Sequence, residues 1–232
     1  MKTKIFCDIA DFKTIKFFNN KPFVDGFTTN PSLMRLAGAK NYKDYSLNIL
    51  KVCKKKPISF EVLADNPKEM LKQAYEINSW GKNIFVKIPV VNSKGLFMGS
   101  VIKELSSKRI KLNITAVYTF EQTKKVYKIL NKKSKSIISI FAGRMADNGK
   151  DPLPIMKKSI SLTKKSKNID ILWASTREAY NYSQAKQLNC NIITMPPKII
   201  DKINMFGKSF HSMTLDTVKG FLVDSKKSKF YL

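Results

Sequence analysis

The chain has 232 residues, 43% of them hydrophobic, which suits one large domain with a substantial core. No apolar run approaches the ~18 residues of a membrane span, so no membrane partner is expected. The net charge of +26 raises nucleic-acid binding, but the excess is nearly all lysine, is dispersed along the chain and lies in no aromatic-studded basic motif. It is therefore read as a solvated surface with no nucleic-acid partner.

A strand is predicted over 5–9, directly after the first residues and without the apolar segment of a signal peptide. A helix over 12–18 and a strand over 23–27 lead into the string Thr28-Thr29-Asn30-Pro31-Ser32-Leu33 and a helix over 42–53. Strands over 58–63, 83–90, 111–117, 137–141, 169–174 and 191–195 follow. Each is succeeded by an amphipathic helical stretch, over 67–80, 101–105, 121–130, 154–162, 177–188 and 199–203. Strand and helix alternate eight times, which predicts an α/β fold, a parallel (β/α)8 barrel over 1–232, with a doubly wound open sheet as the alternative. One further amphipathic helix is predicted over about 212–225. The densest lysine clusters, such as Lys54-Lys55-Lys56 and Lys132-Lys133, fall at predicted helix ends, where the helix dipole favours cations. Cys7, Cys53 and Cys190 have no metal-ligand spacing and are expected as reduced thiols of a cytoplasmic protein.

Strands of a covered parallel sheet should be apolar throughout, yet most of these carry a polar residue near the C-terminal end. These are Asp8, Glu61, Lys87, the pair Asn113 and Thr115, and Ser139; Arg144, Ser175 and Arg177 follow the sixth and seventh strands. In a barrel those ends meet at one mouth, where active sites sit. Lys87 stands in the apolar run Asn83-Ile84-Phe85-Val86-Lys87-Ile88-Pro89-Val90. Burial favours a neutral amine, and a neutral lysine forms a Schiff base with a ketone. A carboxylate such as Glu61 can perform the accompanying proton transfers. The iminium then acts as an electron sink, and Asp8 is a candidate base for carbon–carbon cleavage. Two arginines at the mouth suit a phosphate. The single histidine, His211, lies in the tail, so a His-rich metal site is not expected.

Four strings share one resemblance. Thr28-Thr29-Asn30-Pro31-Ser32, Val86-Lys87-Ile88-Pro89, Asn113-Ile114-Thr115 and Phe141-Ala142-Gly143-Arg144 are similar to segments of the transaldolase family, in particular its small members that include fructose-6-phosphate aldolase. The resemblance covers essentially the whole chain. It implies that Lys87 is the Schiff-base lysine, that Asp8 takes the C4-hydroxyl proton, and that Glu61 and Thr115 hold a proton-shuttling water. It implies that Asn30, Asn113, Ser139 and Ser175 bind the dihydroxyacetone unit and that Arg144 and Arg177 bind phosphate. It further implies sugar phosphates as substrates, no cofactor or metal, a place in carbohydrate metabolism such as the pentose phosphate pathway, and a ring-shaped homo-oligomer, commonly a decamer. The C-terminal helix is a candidate subunit contact; otherwise it packs on its own barrel. Glu61 and Phe141 stand where free aldolases of the family carry glutamine and tyrosine, which favours transferase over aldolase. Ile9 and the segment 145–152 depart from the family's usual residues.

Overall fold

The alternation of apolar strand and amphipathic helix is realised as a closed parallel barrel with strand order β1-β2-β3-β4-β5-β6-β7-β8. The structure is a computed structural model and describes residues 2–228. The strands are β1 Lys4–Asp8, β2 Val24–Thr28, β3 Ile58–Glu61, β4 Ile84–Pro89, β5 Leu112–Val117, β6 Ser136–Ile140, β7 Ile169–Trp173 and β8 Ile192–Met195. The helices between them are α1 Phe12–Asn19, α2 Pro31–Leu36, α3 Tyr42–Val52, α4 Pro67–Ser79, α5 Gly99–Ser107, α6 Phe120–Ile129, α7 Ala142–Asp147, α8 Leu153–Thr163 and α9 Tyr180–Gln187. After β8 come α10 Pro197–Ile203 and α11 Phe210–Ser228. Among the described residues, no helix is long and apolar enough to cross a membrane.

Period-two alternation divides the apolar residues into two bodies. The outward face of each strand packs under the helices: Val86 and Ile88 of β4 join Ala74 and Ile77 of α4 and Ile102 and Leu105 of α5 in one continuous core. The inward face forms a second, smaller cluster of Phe6, Phe85, Ile137, Leu172, Ala174 and Ile192, with Phe141 against it. Gly26 on β2 makes room for this plug, since a Cβ there would lie 2.7 Å from the Phe6 ring. On β1, β4, β6 and β8 the next residue of the same parity after the plug is polar: Asp8, Lys87, Ser139 and Thr194. The plug thus separates two ends of the barrel, and the polar residues all lie on its C-terminal side.

Two short helices, α2 and α7, are absent from the sequence expectation. Six residues are too few to display a 3.6 period. Pro31 at the first turn and the Asn30 side chain, which accepts from Leu33 N at 2.9 Å, start α2. Helix α9 begins at Tyr180 rather than 177, because Asn181 Oδ1 accepts from the backbone N–H groups of Arg177 and Glu178 and holds that stretch as a turn. Helix α11 corrects the expectation that it could pack on its own barrel. None of its residues is buried, and Phe210 and Phe221 are 88% and 70% exposed.

Candidate active site

Among the described residues Lys87 is the charged residue that the fold buries most completely, at 6% exposure, because it stands mid-strand on the inward face of β4. The parallel register places Glu61 of β3 beside it on one side and Asn113 of β5 on the other. Its Nζ lies 3.1 Å from Glu61 Oε2 and donates to the Thr29 carbonyl at 3.0 Å. An ammonium has three protons, so one direction remains for a ligand. Glu61 is itself held: its backbone N–H donates to the Tyr42 hydroxyl at 2.9 Å, and burial pushes that phenol well above its ordinary range.

Asp8 ends β1 at the same level. Its carboxyl accepts from Thr28 Oγ1 at 2.7 Å, and Thr28 Oγ1 is 2.5 Å from Thr194 Oγ1. Thr28 has one hydroxyl proton, which goes to the carboxylate, so Thr194 donates to Thr28. Thr194 is in turn fixed through its carbonyl, which accepts from Thr176 Oγ1 at 2.7 Å. Desolvation by burial raises the Asp8 pKa above 3.8; the Thr28 hydrogen bond and Lys87 oppose it, and Glu61 adds to it. A carboxylate with a raised pKa is a stronger base when ionised.

A cavity of about 170 Å³ opens between these groups. It brings together Asp8, Asn30, Lys87, Thr115, Ser139, Phe141, Arg144, Ser175 and Arg177. The two remaining expected residues stand outside its lining. Glu61 reaches the site through Lys87 Nζ. Asn113 is fully buried behind the wall, donating to Ser59 Oγ at 3.0 Å and accepting from Ser139 Oγ at 2.6 Å. Thr115 Oγ1 is buried with no hydrogen-bond partner, a donor and acceptor facing the cavity at a desolvation cost. Asn30 spends its Oδ1 on the α2 cap, so its amide NH2 is what remains for a ligand.

The outer rim is made by α7 and the loop after β7. Gly143 lies so close to Ser175 that a Cβ would sit 1.6 Å from the Ser175 carbonyl oxygen, which explains glycine before Arg144. Ser175 itself has φ +64°, a left-handed conformation that turns the chain back towards the mouth. Arg144 has its guanidinium 5.4 Å from the Phe141 ring centroid, and Phe141 packs on Tyr118 at 5.8 Å between ring centroids. Arg177 is tied to Asp147 by bonds of 2.8 Å from Nε and 2.5 Å from Nη2.

Comparison with known proteins decides the family. The model of the Transaldolase/Fructose-6-phosphate aldolase family matches residues 5–230. The chain belongs to that family. Among its relatives are probable transaldolases of Herpetosiphon aurantiacus, 31% identical with 95% of this chain and 94% of the relative covered, and of Nitrosopumilus maritimus, 31% identical with 97% and 96% covered. A probable transaldolase of Streptococcus equi subsp. zooepidemicus is 32% identical, with 95% and 97% covered. Solved structures match at the level of fold alone. KGPDC from Streptococcus mutans has TM-score 0.56 at 8% identity, covering 84% of this chain and 88% of that one. Inosine 5' monophosphate dehydrogenase from Legionella pneumophila has TM-score 0.58 at 11% identity, covering 84% and 58%.

This transaldolase-family chain carries three site residues that the sequence reading passed over: Thr28, Thr194 and Thr176, the scaffold of Asp8. The signal for Thr194 was present. It is the polar residue two places after plug residue Ile192, the same spacing that singles out Asp8 after Phe6 and Lys87 after Phe85. Thr176 had no such signal, because it lies past the end of β7.

Proposed function

We propose that this enzyme is a class I transaldolase, transferring a dihydroxyacetone unit from a ketose phosphate to an aldose phosphate through a Schiff base on Lys87. Lys87 Nζ adds to the donor's C2 carbonyl, and the carbinolamine loses water to give the iminium. Glu61 and the orphaned Thr115 hydroxyl hold and move the protons of that step. Asp8 takes the C4-hydroxyl proton, the C3–C4 bond breaks towards the iminium, and the aldose phosphate leaves. The enamine that remains adds to the acceptor aldehyde by the reverse of these steps. Arg144 and Arg177 engage the phosphate, and Asn30, Asn113, Ser139 and Ser175 engage or orient the groups that bind the three-carbon unit. The chemistry draws on side chains alone.

The observation that supports this reading most is the buried Lys87 amine, 3.1 Å from a carboxylate and sharing one cavity with Asp8. Incubation with fructose 6-phosphate and borohydride tests it. A three-carbon or six-carbon adduct reduced onto Lys87 is expected by mass spectrometry, and labelling elsewhere would sink the mechanism. Transfer to erythrose 4-phosphate, followed by product analysis, separates transferase from aldolase.

The exposed apolar residues of α11, including Leu215, Val218 and Leu222 at helical spacing, support its proposed role as a contact between subunits of a ring-shaped homo-oligomer. Native mass spectrometry of Phe221→Glu tests this, with dissociation to smaller species expected. A cytoplasmic place in pentose phosphate metabolism completes the reading.

A further inference from the structure

Seven of the lysines that are dispersed along the sequence are gathered in space. At the N-terminal end of the barrel, below the Phe6–Phe85–Ile137–Ile192 plug, lies a depression of about 710 Å³. Five consecutive connections, those entering β3, β4, β5, β6 and β7, each place lysine on its rim: Lys54 and Lys55, Lys82, Lys111, Lys135 and Lys167. Lys4, the first residue of β1, adds a seventh ammonium. Only two carboxylates line the same space. Asp170 pairs with Lys4 at 3.7 Å, and Asp25 accepts from the Ile5 N–H at 2.9 Å.

Lysines at this end of a barrel have an ordinary use, capping the carbonyl ends of the helices. Lys56 and Lys132 are used in that way: Lys56 donates to the Phe18 carbonyl in the last turn of α1 and to the Lys21 carbonyl just past it, and Lys132 to the Tyr127 and Leu130 carbonyls. The rim lysines are different. Lys111 donates to the Lys82 carbonyl, but the side-chain ammonium groups of Lys54, Lys55, Lys82, Lys135 and Lys167 have neither a hydrogen bond nor an ion pair among the described residues. Like charges gathered around a concave surface repel one another and focus a positive potential into it. The floor is apolar at Phe6, Phe85, Ile137 and Ile192, and the uncharged polar side chains of the lining are Asn83, Ser136 and Asn168, of which Asn83 and Asn168 donate to the carbonyls of Cys53, Lys56 and Lys132. The ring is a pit rather than a stripe, which suits a compact anion with several charges over a nucleic-acid duplex. Lysine is a point-charge phosphate binder.

We propose that this basal depression is a second anion site, separate from the active site, that binds a polyphosphate chain, either inorganic or carried by a nucleoside triphosphate. It does not depend on the catalytic assignment, since the plug lies between the two ends.

Calorimetric titration with tripolyphosphate, ATP, orthophosphate and a short DNA duplex at low ionic strength tests this. Tripolyphosphate is expected to bind at least tenfold more tightly than orthophosphate and to weaken with added salt, as screening requires. Reversing Lys82, Lys111 and Lys135 to glutamate should weaken it at least about tenfold. Reversing Lys219, Lys226 and Lys227 on α11, which removes the same charge, should change it less than twofold. Tripolyphosphate and ATP binding alike identifies the chain alone as the ligand; ATP binding tenfold tighter identifies the nucleotide. Equal loss in both triple variants, or DNA binding through the rim lysines without tripolyphosphate binding, overturns the proposal. Acetylation footprinting of the unmutated protein is independent of variant folding. Tripolyphosphate should protect Lys82, Lys135 and Lys167 but not Lys219 or Lys226, and uniform protection overturns the proposal.

Discussion

The two ends of this barrel hold opposite solutions to the problem of placing charge. At the C-terminal mouth one lysine is buried and matched: Lys87 has a carboxylate and a carbonyl within hydrogen-bond reach. At the N-terminal mouth seven lysines line one depression with two carboxylates. A cation enclosed by protein is strongly coupled to its neighbours, so each partner of Lys87 affects its chemistry. A cation facing water is screened and individually worth little. Seven of the 43 basic residues gather at the basal end with too few carboxylates to match them, whereas the proposed chemistry rests on one lysine at the other.

The largest effect expected from breaking this contrast is at Lys87. Lys87→Ala should lower turnover roughly 10⁴-fold or more, as loss of a nucleophile does. Lys111→Ala at the basal end should leave turnover within a factor of two. Steady-state rates with a ketose phosphate donor and an aldose phosphate acceptor check both. A comparable loss in Lys111→Ala would mean that the two ends are not independent.

Asp8 gives the next largest effect. Asp8→Asn should cost about 10²–10⁴-fold in turnover, while borohydride still fixes an adduct on Lys87, because in the proposed mechanism Schiff-base formation precedes cleavage. The raised pKa has two consequences of opposite sign. In its proposed role as a base Asp8 must be ionised, so the acid limb of activity should lie above 3.8. Its folded pKa exceeds the unfolded one, so its contribution to stability is complete below 3.8 and is lost as pH rises through the folded value. Stability should therefore fall where activity appears, and denaturation of wild type against Asp8→Asn across that window measures the difference.

The arginines sharpen the comparison on a smaller scale. Arg144→Ala should weaken phosphorylated substrates about ten- to a hundredfold, the worth of a charge-assisted contact of about 1.5–3 kcal/mol. Arg177 is shared with Asp147, so Arg177→Ala should cost less, and Asp147→Ala should lower KM for a phosphorylated substrate several-fold. Equal losses for unphosphorylated sugars would assign the arginines to structure instead.

The smallest expected effect is a change of ratio. Phe141 presents an apolar ring to the cavity, backed by Tyr118. Such a ring offers no hydroxyl to orient water towards an enamine. Phe141→Tyr should raise released dihydroxyacetone relative to transferred three-carbon unit a few-fold, a change too small to alter stability much. A uniform fall in both activities with an unchanged ratio identifies the ring as packing.

The sequence by itself determined the eightfold alternation of strand and helix that the barrel realises, and a period of two within the strands picks out several residues that line the candidate cavity. An inward plug residue followed two places later by a polar one marks β1, β4, β6 and β8, and the strands' common direction carries Asp8, Lys87, Ser139 and Thr194 to one mouth. What that periodicity cannot carry was decided only by the tertiary structure. Asn113 is spent between Ser59 and Ser139, although its strand position resembles that of its neighbours. Thr28 joins Asp8 to a strand 166 residues away, and Asp147 claims Arg177 across a gap of 30 residues. Helix α11 has a legible apolar stripe, yet only the fold shows that its own barrel leaves it uncovered. All the rim lysines but Lys4 stand in loops, where no period links one to the next, and closure of the strands into a ring is what gathers them. Local pattern follows from steric and hydrophobic rules acting a few residues apart; pairing between distant side chains follows from where the closed sheet sets them down.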